Sequence, residues 1–367
     1  MKKSDTIEVK VPGKLFVAGE YAVTEPGQSS IVIAIDRYIT ATIQKSDKNT
    51  ISLPQWGMEK IAWEEEHKLL WESDPKFAYI RAAMLIWDRY LQEQNEASHP
   101  FTLTLTSELD DPSGRKYGLG SSAAVVVAVI TALWTLNGFK LTPSSKRKIY
   151  KLAAIAHYQT QGNGSCADIA AATFGNWLAY STFDSDWLLK QMKAGISTTA
   201  LIAEVWPGLT IQEITPPLSL QICVGWTGNA AATGPMVRKV HQLKDKAPVY
   251  YQSFLQQSQK AVQRILTAFE TNDCQKAIHS LKENRQVLLC LDQQAEVGIE
   301  TAEIKTLIEA ADKYGSGKSS GAGGGDCGIA FVEGGQAAEE LRRKWQEKHI
   351  YPLPLQVSVV GAHVRIL

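Results

Sequence analysis

Two glycine-rich stretches carry small residues in the pattern that a phosphate group demands. GLGSSAA (118–124) runs straight into a long apolar segment, and SSGAGGGDCG (319–328) precedes a second apolar run. Small residues let backbone N–H groups approach an anion closely, and the start of a helix adds a partial positive charge. In the first stretch Gly118, Gly120, Ser121 and Ser122 stand at such a start, and the Ser122 hydroxyl could also hold a magnesium ion that bridges phosphates. Lys116 lies just ahead, placed either to reach a phosphate or to sit in solvent. Taken alone, each loop serves equally well as a tight turn.

Three further charged side chains could work beside a phosphate. VPGKLFVAGEYAV (11–23) frames a short apolar stretch between Lys14 and Glu20. QGNGSCADIAAATFGN (161–176) puts Asp168 at a helix start rich in glycine and alanine, where a carboxylate either caps the helix or takes part in chemistry. Arg285 falls on a predicted helix without an obvious helical partner. Its fork-shaped cation suits a substrate carboxylate or phosphate, or else a surface salt bridge. His157 reads as an ordinary helix histidine. GSGKS (315–319) imitates the tail of a Walker A loop, but the full pattern needs a glycine where Asp312 stands. It also follows an amphipathic helix, whereas a Walker A loop follows a strand. We set that reading aside and expect a glycine loop between that helix and strand GIAFV.

These residues need a frame. Ile7, Val9 and Val11 mark one strand, Ile31, Ile33 and Ile35 a second, and FTLTLTS (101–107) a third, each with period-two alternation. FAYIRAAMLIWDRYLQEQ (77–94) has helical spacing. SSAAVVVAVITALWTLNG is valine-rich, yet its length, its serine start and the Gly138 stop argue for a buried helix. Pro216-Pro217 breaks the pattern and marks the expected domain boundary. Beyond it come a strand at 218–226, long helices at 246–271 and 273–293, and a helix with Ile304, Leu307, Ile308 and Ala311 on one face. Strand GIAFV, helix QAAEELRRKWQEKH and strand VSVVGAHVRIL close the chain, an α+β pattern.

The bulk numbers exclude several functions. The chain has 367 residues, 44% hydrophobic and 21% charged, with 38 basic and 38 acidic side chains. Such balance argues against broad nucleic-acid or anionic-membrane binding. Five scattered cysteines without a CxxC pair make a disulfide framework or a structural zinc site unexpected, and fit reduced cytoplasmic thiols. MKKSDTIEVKVPG has no apolar leader, and the apolar run around Ala123 to Trp134 is too short to span a bilayer.

PGKLFVAGEYAV, GLGSSAA and SSGAGGGDCGIAF, in that order, together resemble the three hallmark motifs of the GHMP kinase family. GKLFVAGEYAVTEPG, KYGLGSSAAVVVA, WTGNAAAT (226–233), ENRQVLL (283–289) and KSSGAGGGDCGIAF carry a closer likeness to the branch whose acceptor is (R)-5-phosphomevalonate. The same three motifs also serve mevalonate kinases and other small-molecule kinases. The resemblance implies an α+β, two-domain fold with the active site in the interdomain cleft. It implies an N-terminal ATP-binding domain over 1–215 and a ferredoxin-like α+β domain over 216–367, as a monomer or homodimer in the cytoplasm. It implies ATP and (R)-5-phosphomevalonate as substrates, with Mg2+.

By the same likeness Lys14 and Asp168 are the expected catalytic residues. Lys116, Gly118, Leu119, Gly120, Ser121, Ser122 and Ala123 form the ATP loop, with Ser122 at the metal. Tyr21, Ser165, Arg285, Gly323 and Gly324 join Lys14 and Asp168 around the acceptor. One departure stands out. Mevalonate kinases commonly carry a metal-binding glutamate eleven residues before the aspartate, where this chain has His157.

Overall fold

The computed structural model describes residues 6–63, 75–111, 115–229 and 233–367. Residues 230–232 of WTGNAAAT lie outside that set. Twelve strands among the described residues form two sheets. The first contains β1 (Ile7–Ala18), β2 (Ser29–Lys45), β3 (Thr50–Leu53), β4 (Met58–Ala62), β5 (Phe101–Ser107), β6 (Trp177–Ser181) and β7 (Thr210–Ile214). β2 is the spine: β1 runs antiparallel along it, β5 pairs with its second half and β6 with its first. In β1 the alternating Ile7, Val9 and Val11 are buried and the residues between them half-buried, the mark of a strand with one face on a core.

Four helices position the site: α1 (Pro75–Glu93), α2 (Ser121–Leu136), α3 (Pro143–Gln161) and α4 (Ala167–Phe174). α2 lies on β1 and β2 and is buried almost all round, which lets its valines stay helical. α3 starts on a capping box, with Thr142 and Ser145 bonded reciprocally and Pro143 at the first turn. That fixes the register that brings His157 toward α2.

The second sheet holds β8 (Leu220–Trp226), β9 (Gly315–Ser319), β10 (Cys327–Glu333) and β11 (Tyr351–Leu353) in the antiparallel order β11-β8-β10-β9. Alternation splits it cleanly. Cys223, Ala330 and Val332 pack with the helices Ala302–Ala311 and Gly335–Glu347. Val224, Trp226, Ile329 and Phe331 face the other way and join the core of the first sheet. Trp177 of β6 meets Phe331 and Phe269 at ring separations of 6.1 and 5.4 Å.

Two expectations need correcting. The division at 216 does not hold to the C-terminus: β12 (His363–Ile366) pairs with β1, and Ser358 N–H bonds Ala34 O at 3.0 Å. The alternation of VSVVGAHVRIL marks a strand without saying which sheet needs an edge covered. And 315–319 is not loop. It is β9, paired along β10, which confines the glycine turn to 320–326.

Candidate active site

The glycine loop wraps the lysine of the first motif. Gly118 and Gly120 have φ of 80° and 81°, the left-handed region that side chains rarely tolerate. Lys14 N–H donates to Leu119 O at 2.8 Å, and Lys14 Nζ donates to Gly118 O at 3.0 Å. A β-carbon on Gly120 would stand 2.8 Å from Lys14 Cγ, so the lysine stem lies flat against the missing side chain. A β-carbon on Gly118 would stand 2.6 Å from Asp326 Cγ. Glycine is therefore required twice, for conformation and for close approach. The loop then becomes α2 with Gly120 as its N-cap and no side-chain cap. Uncapped N–H groups at a helix start suit an anion.

On α3 and α4 sit the groups opposite Ser122. His157 is 2% exposed, stacks on Tyr79 with ring centroids 5.0 Å apart, and its Nε2 lies 3.3 Å from Ser122 Oγ. Burial holds the His157 imidazole below its ordinary pKa, and the nearby Asp168 carboxylate opposes that shift. Asp168 occupies the first turn of α4 and accepts Ile169 N–H at 2.9 Å. The turn before it is pinned from below. Thr182 Oγ1 and Tyr180 OH both donate to Ser165 O, at 2.9 and 2.5 Å, and Tyr150 backs Tyr180 at 2.8 Å. Cys166 takes φ 56° to complete the bend.

The third motif closes the cleft from the second sheet. Ser320 Oγ donates to Phe16 O at 2.8 Å, Tyr21 OH to Ala322 O at 2.5 Å, and Cys327 Sγ to Tyr117 O at 3.2 Å. Lys318 Nζ is bonded to Glu20, both out of solvent. The result is a cavity of about 400 Å³ between the two sheets' loops. Lys14, Tyr21, Lys116, Gly118, Leu119, Gly120, Ser121, Ser122, Ser165 and Asp168 line it, as do Thr233 and Gly234 after the WTGN turn.

Four expected residues fall elsewhere. Ala123 is buried one residue beyond the lining, behind the loop. Arg285 is spoken for: Nε and one terminal nitrogen bond the two oxygens of Glu300 at 2.7 and 3.0 Å, and Asp312 sits 3.5 Å away. The fork grips a carboxylate of its own chain, and Arg285 does not border the cavity. Gly323 and Gly324 back onto Ile299 instead, with Gly324 N–H donating to Ile299 O at 2.9 Å. A β-carbon on Gly323 would stand 2.4 Å from that oxygen.

Other residues border the site that the sequence does not assign to it. Tyr79, His157 and Asp326 line the cavity, and Lys318 backs it through Glu20. His157 reads in the sequence as an ordinary helix histidine, and Lys318 appears there only within the rejected Walker A tail. Among the described residues no cluster of three His, Cys, Asp or Glu side chains could cage a metal. Ser122 Oγ and the Asp168 carboxylate are among the oxygen donors that line the cavity with the loop, as is the Asp326 carboxylate against Gly118.

Comparison with known proteins covers nearly the whole chain. The GHMP kinases N terminal domain matches residues 78–176 and the GHMP kinases C terminal domain residues 265–350. The phosphomevalonate kinase of Streptomyces sp. (strain CL190) is 33% identical across 97% of this chain and 98% of its own. Among solved structures, a Lin0012 protein from Listeria innocua superposes with a TM-score of 0.88 at 39% identity, covering 99% of both chains. Streptococcus pneumoniae phosphomevalonate kinase, in complex with phosphomevalonate and AMPPNP, superposes with a TM-score of 0.83 at 28% identity, covering 95% of this chain and 99% of that one.

Proposed function

The chain belongs to the GHMP kinase family, and on that premise we propose that it transfers the γ-phosphoryl group of ATP to the phosphate of (R)-5-phosphomevalonate, giving mevalonate diphosphate and ADP. One observation carries the reading: the Gly118–Ser122 loop, Lys14, Asp168 and the Ser320–Ala322 loop border a single cavity. The named Streptomyces relative and the ligands of the Streptococcus structure supply the acceptor. We place the reaction in the cytoplasm, where ATP is abundant and free cysteines stay reduced.

Phosphoryl transfer asks for positioning and charge neutralisation rather than covalent help from the protein. The acceptor is a phosphate monoester with a second pKa of about 6, so at neutral pH its attacking oxygen has already lost its proton. That oxygen bonds to the γ-phosphorus as the bond to the bridging oxygen of ADP breaks. The obstacle is repulsion between a dianion and the γ-phosphate. Lys14, the α2 N-terminus and Lys116 offset it. Ser122 Oγ and Asp168 would hold Mg2+, a small set that suits an ion keeping its waters and phosphate oxygens. Bound there, magnesium would neutralise phosphate charge. His157 fixes Ser122 on the other side and supplies no carboxylate.

The test is ADP release with ATP and Mg2+, offering 5-phosphomevalonate and mevalonate in parallel. Turnover of the phosphorylated acceptor alone is the expected result, and turnover of mevalonate alone would overturn the assignment while keeping the family. Because no proton needs removing, Asp168→Asn should lower kcat by less than about 10²-fold, below the upper range for general acid–base catalysis. A loss near 10⁴-fold with unchanged magnesium dependence would make Asp168 a base.

A further inference from the structure

Asp168 reaches the cavity from a turn whose backbone needs outside support. Cys166, two residues before it, takes φ 56° and ψ 20°, the left-handed region, without being a glycine. Such a residue keeps that conformation only where its surroundings over-determine it. The support converges on one carbonyl. The first bond of α4 runs from Ala170 N–H to Cys166 O, so Ser165 O stands outside the helix ladder. It accepts instead from Tyr180 OH at 2.5 Å and from Thr182 Oγ1 at 2.9 Å, both buried.

The protons in this cluster have one arrangement. A carbonyl oxygen only accepts, so both bonds run into Ser165 O and fill its lone pairs. Tyr180 has then given its only proton, and the 2.8 Å bond between Tyr150 and Tyr180 must be donated by Tyr150. Burial pushes both tyrosine hydroxyls well above their ordinary pKa, so neither loses the proton it donates. Tyr150 comes from α3, Tyr180 from β6 and Thr182 from the residue that follows β6. None of the three borders the cavity. A buried polar network with every member satisfied rigidifies what it holds. What it holds here is the turn ahead of Asp168. Asp168 Oδ1 accepts Ile169 N–H, which fixes the carboxylate against its own helix, so a shift of the turn carries the carboxylate with it.

We propose that Tyr180 and Thr182 are positioning residues for the phosphoryl transfer: by filling Ser165 O from the core side, they set where the Asp168 carboxylate stands in the cavity. This rests on the function proposed above. The hydroxyls tie the start of α4 to β6, which pairs with β2, and β2 pairs with the strand that carries Lys14. Lys14 and Asp168 are thereby held to one sheet.

The experiment is a double-mutant cycle on the full chain, read in kcat with 5-phosphomevalonate and in urea unfolding. Thr182→Val keeps the side-chain shape and removes one bond to Ser165 O; Tyr180→Phe removes the other, and Thr182→Ser keeps the hydroxyl. Thr182→Val should lower kcat by about tenfold, inside the roughly 10²-fold that an ångström of misplacement can cost. KM for ATP should change by less than about twofold, because the loop ahead of α2 is untouched. Thr182→Ser should recover most of the rate. On an Asp168→Asn background, Thr182→Val should lower kcat by less than about twofold further, because changes that act through one group do not add. Tyr180→Phe carries the same test if Thr182→Val does not fold. Wild-type kcat in either folded variant overturns the proposal, as does an undiminished loss on the Asp168→Asn background or a loss that Thr182→Ser fails to rescue. Loss of folding in both variants makes the hydroxyls structural and overturns it too. If mevalonate proves to be the acceptor, the acceptor assignment fails, and the cycle run with mevalonate judges this inference separately. If neither acceptor is turned over, both fall.

Discussion

Replacing Lys14 by Met is expected to lower kcat by about 10³-fold, the scale for removing one preorganised donor from a phosphoryl or oxyanion site. The melting temperature should move by only a few degrees, because methionine keeps the stem that packs on Gly120. What disappears is the ammonium group, held at the loop by its 3.0 Å bond to Gly118 O. That bond aims the charge at the place where two phosphates must meet. Its effect is greatest as the bond between them forms, so kcat should suffer more than KM for ATP. Steady-state kinetics with 5-phosphomevalonate, beside thermal unfolding, check both halves. A variant that keeps its rate would remove Lys14 from the mechanism; one that fails to fold would make the residue structural.

The second large effect is on stability. Lys318→Met should cost about 3–5 kcal/mol, because removing one partner strands a charge where water cannot reach it. Burial already depresses the Lys318 pKa, with Glu20 as the main opposing influence. Without the lysine, the Glu20 carboxylate has neither partner nor solvent. Removing both charges should recover most of the loss, since two apolar side chains of similar size can replace a buried pair at little net cost. Urea unfolding of the single and double variants measures this. Equal losses in the two would mean that packing, and not the unpaired charge, sets the penalty.

Much of this protein was legible one residue at a time. The alternation in β1, β2 and β5 and the length of α2 are local properties of the chain, and local spacing revealed them. The loop Gly118–Ser122 was equally open to reading, because positive φ and an uncapped helix start are written in glycines and serines. Lys14, Asp168, Tyr21 and Ser165 do border one cavity with that loop.

Partnership across the fold was not legible. Arg285 lacked a helical partner and looked available, yet it pairs with Glu300 and Asp312, which reach it only after the following helix folds back. His157 looked ordinary until α1 supplied Tyr79 and α2 supplied Ser122. Glu20 and Lys318 are 298 residues apart. Sequence determined the local geometry of the phosphate loop, because backbone conformation and hydrophobic period are short-range, while Lys14 was tied to it only by resemblance to the family. Only the tertiary structure decided which charges meet, because burial and pairing depend on surfaces that distant segments bring together.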